Sequence, residues 1–577
     1  MIVLHEILHA LGLSHPGPYN GPGYNFEDHA VYAQDTTQYT VMSYWTADKS
    51  GADHELDGKI YRSATPLLHD IAALHALYGA NTATRSGDTV YGFNSTAGRS
   101  AYDLTQNPAP LFAIWDAGGT DTLDLSGYTS GSRIDLEPGA FTDAGGLTGN
   151  ISIAYGATIE NALGGSGDDA IAGNAAANRL TGGTGHDSVD GRGGDDVLDL
   201  SHGGGDGGSG GEGNDVIFFG GSFDGNDRAH GGAGTDTLVL QGNYAALLLH
   251  SQIMSDIEGL SLQSGTITRW GQSGANSYDY ALTVSEATTA PGQQFRLNAQ
   301  SLQTGEDLQF NGGAETDGGR YLVFAGFGAD QLAGGEGNDV FFFEAGRLGS
   351  DVRIVGGGGN DAGVLSGGAA GATRLAAEIA SGTLASVESL SFNGRFASDP
   401  SSRPSYEVVI RDGNIAPGER LIVNGSSLEG TQQLNVDGSP VTDGRLWLFG
   451  GAYAERLTAG AGDDLIYAAG GSDALTGGGG ADLFQYRSAG DSLVGAQDRI
   501  YDFQHGTDRI DLSQIAPFTL HIGGELSGAA GEVRAGYDAD AGLWRVLGDI
   551  NGDGAADFLI EVIVEAGQPL AGTDFIL

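Results

Sequence analysis

A nine-residue repeat begins near residue 164 of this 577-residue chain and recurs, with interruptions, to residue 484. Each copy reads G-G-x-G-x-D-x-U, where U is apolar, as in Gly164 through Ile171 and Gly182 through Val189. Some copies have decayed, since Asn178 stands where the pattern places an aspartate and Gly363 stands where it places an apolar residue. Such a repeat restricts the chain to folds in which each copy packs on its neighbours.

The repeat can be understood position by position as a turn followed by a short strand. The glycines allow a tight turn with left-handed backbone and inward carbonyls, the aspartate adds a hard carboxylate, and x-U-x forms a strand with U in the core. Stacked turns would share Ca²⁺ through oxygen ligands. A flexible Gly/Asp linker is the alternative, but a linker has no reason to keep an apolar residue two positions after each aspartate. The pattern is typical of the calcium-binding nonapeptides that form a parallel β-roll in RTX proteins.

Calcium would also balance the charge of the chain. There are 74 acidic residues against 26 Lys and Arg, a net charge of −48. This charge repels nucleic acid and anionic membranes, so neither is an expected partner. Without calcium the carboxylates repel one another, so metal binding is expected to drive folding. The predicted calcium ligands of the roll are Gly165, Gly167, Asp169, Gly183, Gly185, Asp187, Asp196, Asp215, Asp236, Asp339, Asp464, Asp473 and Asp482.

Calcium-dependent folding suits a secreted protein that is exported unfolded, since extracellular modules bind calcium at about 10⁻⁴–10⁻³ M. The chain has no cysteine, which excludes disulfides and thiolate zinc sites. Residues 1–4 are apolar but His5 and Glu6 follow at once, so the pattern predicts no cleaved signal peptide. There is no run of 18 or more apolar residues, and no membrane insertion is expected.

A zinc motif, His5-Glu6-x-x-His9-x-x-Gly12-x-x-His15, occupies residues 5–15. On a helix, His5 and His9 leave the same face one turn apart, and Glu6 lies beside them, where it would take a proton from a metal-bound water. Gly12 permits the left-handed backbone that ends a helix, which would return His15 to the metal. Three neutral histidines plus water make an open catalytic zinc site.

The sequence around this motif strengthens the zinc hypothesis. A bare HExxH occurs by chance, but the additional Gly and His make coincidence far less plausible. Met42 follows in YTVMSYW, and a long zinc motif followed by a Met-turn is the metzincin pattern. His69 and His75 are six residues apart on a predicted helix and are expected to be structural or exposed. We expect Leu4, Ile7, Leu8, Leu11 and Leu13 to hold the zinc helix against a core.

Residues 2–200 resemble one family. HEILHALGLSHPGPYN, YTVMSYW, PLLHDIAALHALYGANTATRSGDTVYGFNS, WDAGGTDTLDLSGY and ATIENALGGSGDD are similar to the serralysins, secreted bacterial zinc metalloendopeptidases. The resemblance implies that Met42 forms an apolar floor under the zinc. It implies that Tyr44 is a further zinc ligand that swings away to stabilise the tetrahedral intermediate. It also implies calcium ligands ahead of the repeats: Arg85, Gly87, Thr89, Asp116, Gly118, Gly119, Asp121, Thr158 and Glu160.

The resemblance also raises expectations about the two ends of the chain. Serralysins carry a lobe ahead of the zinc helix, including the strand that lines the cleft, whereas here the helix starts at residue 2. We therefore expect a truncated protease, through a wrong start codon, a broken gene or a real deletion, with weak zinc binding and no turnover. Relatives use a C-terminal signal read by a type I (ABC) exporter, and the ending Asp574-Phe575-Ile576-Leu577 has the acid followed by apolar residues that such signals often show.

Two related segments interrupt the repeats between about residues 240 and 455. IEGLSL at 257–262 recurs as VESLSF at 387–392, and PGQQFRLNAQSL at 291–302 recurs as PGERLIVNGSSL at 417–428. Alternating apolar residues and turn residues predict strands and suggest a duplicated β-domain. A carbohydrate-binding or cell-surface role and a spacer role both remain open, and the spacer is the simpler interpretation. Asp549 through Gly554 imitates the start of an EF-hand, but Ile560 replaces the required Glu, which leaves a strand turn and a calcium loop open.

The sequence as a whole predicts a mostly β protein: a calcium-bound parallel β-roll plus β-domains, with an N-terminal α+β remnant of a metzincin protease domain. Two functions are weighed. One is a secreted, calcium-stabilised zinc metalloendopeptidase that acts on protein or peptide substrates and is inactive as this truncated chain. The other is a calcium-folded extracellular scaffold or adhesin-like protein with a vestigial protease domain. The expected boundaries are 1–80 for the protease part, 81–160 for a β segment, 161–240, 326–364 and 450–486 for repeat blocks, 241–325 and 365–449 for the inserted β-domains, and 487–577 for a C-terminal β-domain with the secretion signal.

Overall fold

The computed structural model describes residues 2–271, 274–286, 291–344, 348, 351–367, 374–393 and 405–577. The predicted mostly β fold with a parallel β-roll is confirmed, because nearly all strand pairings are parallel. The chain divides into two compact units, Met1–Asn243 with Leu247–Gln263 and Tyr244–Ala246 with Ser264–Leu577. No helix among the described residues is both long enough and apolar enough to cross a membrane.

The helices of the first unit are α1 (Ile2–Ala10), α2 (Phe26–His29) and α3 (Leu68–Tyr78), with short 3-10 segments at Ala47–Ser50 and Ser100–Tyr102. A small apolar core joins α1 to the start of α3. It consists of Leu8, Leu13, Val41, Met42 and Leu67, with Leu4, Ala73 and Leu74 packed against it.

The expectation that five apolar residues hold α1 against a core is wrong at two positions. Leu8 and Leu13 are buried and Leu4 packs on the same core. Ile7 and Leu11 are 50% and 40% exposed. The core covers only part of the apolar face of α1, so Ile7 lies outside it, and Leu11 follows the end of the helix at Ala10.

The strands up to residue 262 are short. The first eight are β1 (Glu55–Leu56), β2 (Lys59–Ile60), β3 (Val90–Gly92), β4 (Phe112–Ile114), β5 (Thr122–Asp124), β6 (Arg133–Asp135), β7 (Phe141–Ala144) and β8 (Leu147–Ile153). The next six are β9 (Asn161–Leu163), β10 (Ala170–Ala172), β11 (Arg179–Thr181), β12 (Ser188–Asp190), β13 (Val197–Asp199) and β14 (Gly207–Glu212). The last six are β15 (Val216–Gly220), β16 (Arg228–Ala233), β17 (Thr237–Leu240), β18 (Tyr244–Leu249), β19 (Met254–Ser255) and β20 (Gly259–Leu262).

The repeats of the first unit form two parallel ladders that the chain visits alternately. Strands β10, β12, β14 and β16 form one ladder, and β9, β11, β13, β15 and β17 form the other. Ile171 pairs with Val189 in the first ladder and Leu180 with Leu198 in the second. These four apolar side chains are all buried. Two nonapeptides therefore make one turn of the roll, and the U position supplies its core.

The second unit continues with strands of the same kind. These are β21 (Tyr280–Val284), β22 (Gln294–Asn298), β23 (Leu308–Asn311), β24 (Arg320–Phe324), β25 (Gln331–Ala333), β26 (Val340–Glu344), β27 (Arg353–Val355), β28 (Ala362–Ser366) and β29 (Arg374–Ile379). There follow β30 (Leu384–Ala385), β31 (Ser389–Asn393), β32 (Ser405–Ile410), β33 (Arg420–Asn424), β34 (Leu434–Asp437), β35 (Arg445–Phe449), β36 (Arg456–Thr458), β37 (Leu465–Tyr467) and β38 (Ala474–Thr476). The last strands are β39 (Leu483–Gln485), β40 (Asp498–Phe503), β41 (Arg509–Asp511), β42 (Thr519–Ile522), β43 (Glu532–Asp538), β44 (Leu543–Asp549), β45 (Phe558–Val564) and β46 (Phe575–Ile576), with 3-10 segments at Ala489–Asp491, Glu565–Gly567 and Gly572–Asp574.

The related segments join the ladders of the repeat strands directly. Strand β22 of the first segment pairs with β24, and β24 pairs with β26, whose sequence is a nonapeptide strand. In the second segment β33 pairs with β35 and β35 with β37, again in parallel. The inserted sequence lengthens the turns between these strands and leaves the strand direction unchanged.

The C-terminal part differs, because β43, β44 and β45 pair antiparallel. Residues 550–557 connect β44 to β45. In this loop Asp549 accepts hydrogen bonds from the backbone N–H groups of Gly552 and Gly554 at 2.6 and 2.8 Å. The EF-hand-like stretch is thus a turn between two strands.

Glycine at position 183 is required by close packing between successive turns. Gly183 has φ of +107°, and a Cβ atom built there would lie 2.0 Å from the carbonyl oxygen of Gly165. Gly204 lies in an open part of the same roll, where an added Cβ atom meets nothing within 4 Å.

We predict that Gly183→Ala destabilises the calcium-loaded chain by at least about 2 kcal/mol, because it adds both a clash and an unfavourable backbone conformation. Gly204→Ala, the matched control, is expected to leave stability within about 0.5 kcal/mol. Thermal unfolding followed by circular dichroism measures both variants. Equal melting temperatures for the two variants would contradict the close stacking of the turns.

Candidate metal centre

The end of α1 directs the chain back toward the helix. The backbone N–H of Gly12 donates to the carbonyl of His9, and that of Leu13 donates to the carbonyl of Leu8, both at 3.0 Å. Gly12 has φ of +94°, and Leu8 and Leu13 pack in the same apolar core. These are the two hydrogen bonds and the apolar contact of a Schellman motif. The turn brings His15 next to the two histidines of the helix.

The three predicted zinc ligands converge through their Nε2 atoms. Nε2 of His15 lies 3.2 Å from Nε2 of His5 and 3.1 Å from Nε2 of His9. Among the residues that the structure describes, this triad is the one group of three or more His, Cys, Asp or Glu with ligand atoms all within 4.8 Å of one another. The spacing of the sequence motif therefore produces a compact cluster in three dimensions.

Each Nδ1 atom of the triad is held by a backbone carbonyl. Nδ1 of His5 donates to Val41, Nδ1 of His9 donates to Leu13, and Nδ1 of His15 donates to Tyr19, each at 2.8 Å. A carbonyl oxygen only accepts, so Nδ1 carries the proton of each neutral ring and Nε2 presents a lone pair. Carbonyl oxygens of this kind fix the tautomer and orientation of metal-binding histidines.

Three facing lone pairs need a cation between them. One added proton bridges a single pair of nitrogens, whereas a metal ion bonds all three. Nitrogens about 2.0–2.1 Å from a tetrahedral zinc ion lie roughly 3.3 Å apart, which is close to the observed separations. The donor set and its geometry fit Zn²⁺.

The other predicted residues of the centre surround the triad. The ring of Tyr44 lies 4.5 Å from the ring of His15 and 6.1 Å from that of His5, between centroids, and Tyr44 is 44% exposed. Glu6 is exposed next to His5 on α1. Met42 is 1% exposed and belongs to the apolar core beneath α1. A groove of about 550 Å³ opens beside His9 and His15.

Two buried carboxylates that we did not predict support the centre. Asp70 accepts hydrogen bonds from the backbone N–H of Val41 at 2.9 Å and from the hydroxyl of Thr40 at 2.5 Å, and its burial raises its pKa. Asp35 accepts from the hydroxyl of Tyr19 at 2.7 Å. Val41 and Tyr19 supply two of the three carbonyls that orient the histidines. No motif marks these aspartates, because their partners are 29 and 16 residues away in sequence.

His69 and His75, which the sequence predicts to be structural or exposed, lie outside the histidine triad. The ring of His69 packs 4.9 Å from that of Tyr39, and the ring of His75 packs 4.2 Å from that of Trp115. Burial lowers the pKa of both histidines.

Three of the candidate calcium residues ahead of the repeats, Thr89, Asp116 and Glu160, lie around a fourth, Asp121. Its Oδ1 accepts from the backbone N–H of Thr89 at 2.8 Å, and its own N–H donates to Glu160 at 2.7 Å. Burial, with the charges of Asp116 and Glu160, raises the pKa of Asp121 to about 7. Its Oδ2 is buried without a hydrogen-bond partner among the described residues.

The remaining residues of this group have different environments. Gly118 donates its N–H to Asp116 at 3.0 Å, and an added Cβ atom on Gly119 would lie 2.5 Å from the carbonyl carbon of Gly87. Arg85 has φ of +49° and directs its guanidinium to the hydroxyl of Tyr91 at 2.8 Å. Thr158 is exposed, two residues before Glu160.

A ladder of carboxylates follows the roll. The N–H of Asp169 donates to Oδ1 of Asp187 at 2.9 Å, and the N–H of Asp187 donates to Oδ1 of Asp206 at 2.8 Å. Each aspartate is thus bonded to the backbone of the preceding turn. The same contact joins Asp196 to Asp215, Asp215 to Asp236, Asp339 to Asp361, Asp464 to Asp482 and Asp473 to Asp498.

The second oxygen of most of these carboxylates has no partner. Oδ2 is buried without a hydrogen-bond partner, among the described residues, in Asp187, Asp196, Asp215, Asp236, Asp473 and Asp482. Asp169, Asp339 and Asp464 differ, because a turn glycine donates to their Oδ2. A buried carboxylate oxygen without a donor is costly unless a cation is present.

The predicted turn glycines stand next to this ladder. Added Cβ atoms on Gly183 and Gly185 would lie 2.0 and 2.5 Å from the carbonyl oxygens of Gly165 and Gly167. Oxygen-only surroundings of this kind fit Ca²⁺.

Two described aspartates of the ladder with a free, buried Oδ2 were missing from the predicted ligands, Asp361 and Asp498. Asp361 lies in a decayed repeat copy, so its signal was present but weak. Asp498 follows Asp473 after 25 residues and has no nonapeptide around it. Only the pairing of β38 with β40 brings Asp498 into the ladder.

Comparison with known proteins agrees with the fold. The family model described as Peptidase M10 serralysin C terminal matches residues 80–354 and 442–577, which is more than half of the chain. The chain therefore belongs to this family.

Three relatives share about a quarter of the chain at high identity. Serralysin B of Dickeya chrysanthemi is 55% identical over 165 residues, 28% of this chain and 34% of that protein. Metalloprotease AprA of Pseudomonas entomophila (strain L48) is 55% identical over 164 residues, with 28% and 34% covered. Serralysin of Proteus mirabilis is 52% identical over 170 residues, with 29% and 33% covered. The chain thus spans about a third of the length of the curated relatives it matches.

The ladder carboxylates generate a prediction about pH. Burial is the main cause that raises the pKa of Asp196 to about 7 and that of Asp482 to about 8. An acid with a raised pKa in the folded state favours folding when protonated, so its contribution is complete below the unfolded value of about 4 and is lost as pH rises through the folded value. Calcium binding needs deprotonated carboxylates and has the opposite dependence.

We therefore expect the β-sheet circular dichroism signal that the chain retains in EGTA to fall as pH rises from 5 to 8.5, while the calcium concentration needed for complete folding also falls. Asp196→Asn combined with Asp482→Asn should make the stability of the calcium-free chain less dependent on pH. The same double variant should bind calcium more weakly. Asn178 already occupies an aspartate position of the roll, so this change is compatible with the fold. A calcium-free chain that becomes more stable with rising pH would contradict the raised pKa values.

Proposed function

We propose that this chain belongs to a secreted, zinc-dependent and calcium-stabilised metalloendopeptidase of serralysin type that hydrolyses proteins outside the cell. The observation that carries this proposal is the convergence of three Nε2 lone pairs, each fixed by a carbonyl on the opposite ring nitrogen. Similarity to Serralysin B and to Metalloprotease AprA supports it.

In this function each side chain of the centre has a distinct task. His5, His9 and His15 hold the ion, which when bound supplies Lewis-acid polarisation and lowers the pKa of water. The carboxylate of Glu6 accepts a proton from the attacking water and passes it to the leaving amine. The hydroxyl of Tyr44, whose ring borders His15, donates a hydrogen bond to the oxyanion that develops on the scissile carbonyl.

Calcium in the roll would couple the folding of the chain to its export. The C-terminal strand β46 pairs with β41, and Asp574 is fully buried. Its carboxylate accepts hydrogen bonds from Gly506 at 2.9 Å and from Ala571 at 2.7 Å. A type I exporter that reads this end of the chain must therefore meet it before the roll folds, and external calcium would then complete folding.

A second function is favoured by the second compact unit, which begins at Ser264 apart from Tyr244–Ala246 and consists of the repeat strands and the related segments. Among the described residues of this unit no group of His, Cys, Asp or Glu has metal-binding geometry of the kind seen in the histidine triad. A chain in which most of the fold carries no such centre would suit a calcium-folded extracellular scaffold or adhesin-like protein in which the protease centre is vestigial. Zinc binding without turnover would support this second function.

Three carbonyls already orient the triad, so in place of the weak zinc binding expected from the sequence we predict that the calcium-loaded chain binds one zinc ion. His9→Ala should abolish this binding, because two nitrogens do not complete the site. His29→Ala is the matched control, since His29 lies outside the triad, and should retain zinc. The zinc content of both variants is measured by mass spectrometry after dialysis. Equal zinc in the two variants would refute the triad as the metal site.

We predict further that Glu6→Gln retains zinc but lowers any hydrolysis of casein by roughly 10²–10⁴-fold, because it removes the proton acceptor and no ligand. Tyr44→Phe should lower kcat by roughly 10²-fold with a smaller effect on KM, as expected for loss of one oxyanion donor. The measurement is initial rates on a quenched fluorescent casein, with a zinc chelator as blank. Chelator-sensitive hydrolysis that survives Glu6→Gln would contradict the assigned roles.

A further inference from the structure

The two related segments of the second unit each form a groove on one face of a parallel ladder. The first groove crosses β21, β23, β25 and β27 and has a volume of about 370 Å³. The second crosses β32, β34, β36 and β38 and has a volume of about 620 Å³. The grooves are on equivalent strands, so the duplication has kept a concave surface at one place.

Two rows of side chains cross the first groove. The parallel register places Gln309 beside Gln331 and Gln331 beside Arg353 in one row. In the other row Thr283 lies beside Asn311. The remaining positions of the rows hold small or short side chains, which leave room above them: Ala281, Ala333 and Val355.

The second copy retains the rows with altered chemistry. Strand β23 reads LQFN and β34 reads LNVD, so Asn435 stands where the first copy has Gln309 and Asp437 where it has Asn311. Glu407 and Asn435 are register partners, and Arg456 follows in the next strand. Both grooves thus combine an amide with a guanidinium in the same row.

The amide Asn435 of the second groove is hydrogen-bonded within that groove, whereas the amide Gln309 of the first is not. Glu407 accepts hydrogen bonds from Arg374 and from Asn435, and Asn435 also accepts from the backbone of Arg456 at 2.7 Å. In the first groove, the side chains of Gln309 and Arg353 are exposed and have no hydrogen-bond or ion-pair partner within the described part of the chain. These two side chains are available to a ligand.

We propose that the first groove binds a neutral glycan. An amide donates and accepts at once, as a sugar hydroxyl does, and a guanidinium offers several donors to neighbouring hydroxyls. The net charge of −48 disfavours a polyanion. The groove lies on a sheet face whose backbone groups already pair between strands, so a peptide cannot add to it as a strand.

The size of the groove fits a short stretch of such a polymer. Four strands spaced about 4.8 Å apart give a trough roughly 14 Å long. This length suits a few sugar units bound along the rows. The groove contains no ionised carboxylate that would attract a cation, because its lining carries amides, hydroxyl, small side chains and one guanidinium.

The test uses the full calcium-loaded chain on an array of immobilised neutral and sulfated oligosaccharides. We expect binding to at least one neutral class, weakened roughly tenfold by Gln309→Ala and again by Arg353→Ala, because each loses direct hydrogen bonds. Asn435→Ala, at the equivalent position of the second groove, is the matched control and should bind as the unaltered chain does. Circular dichroism with calcium verifies that each variant is folded.

Three results would overturn the proposal. These are the absence of binding to any neutral glycan, binding to sulfated glycans alone, and neutral-glycan binding that persists in the folded Gln309→Ala, Arg353→Ala double variant. Loss of binding in Asn435→Ala with retention in the double variant would assign the ligand to the second groove and would likewise refute the first.

Discussion

One contact recurs through this chain, the hydrogen bond from the backbone N–H of an aspartate to the carboxylate of the aspartate one turn later. It fixes Oδ1 of each carboxylate and leaves Oδ2 buried, in Asp187, Asp215 and Asp482 among others. Within the described part of the chain these oxygens have no hydrogen-bond partner, and burial together with neighbouring carboxylates raises the pKa of Asp187 and of Asp482. A divalent cation bound by oxygen atoms would resolve this conflict and would make the stability of the roll depend on the calcium concentration around it.

The histidine centre uses the same principle with different atoms. Backbone carbonyls of Val41, Leu13 and Tyr19 fix one nitrogen of each ring, so the other nitrogens must face one another. The carbonyls are themselves held, since Asp70 binds the N–H of Val41 and Asp35 binds the hydroxyl of Tyr19. In both kinds of site the fold supplies a set of lone pairs that is favourable only with a metal ion.

The related segments show how the roll tolerates insertion. Their strands keep the parallel register while the turns between them lengthen, so the apolar core continues through them. A longer turn costs little free energy, because loop-closure entropy grows slowly with length. The face of the ladder that does not contribute to the core can then vary in sequence. The side chains of the two grooves lie on this face and differ in chemistry, whereas Leu308 and Leu434 remain buried beneath the grooves.

The sequence alone determined the roll, the turn glycines and the grouping of the three histidines, because these depend on residues at fixed short separations. A nine-residue period places two apolar residues in the core in each turn of the roll, and His5, His9 and Gly12 act within one helix and its cap. The tertiary structure decided which residues meet partners that are distant in the sequence. Asp70 and Asp35 reach the centre across 29 and 16 residues, and Asp498 joins the carboxylate ladder only through β38 and β40. The exposure of Ile7 and Leu11 was likewise undecidable from periodicity, since an apolar face shows which side of a helix can be buried but not what packs against it.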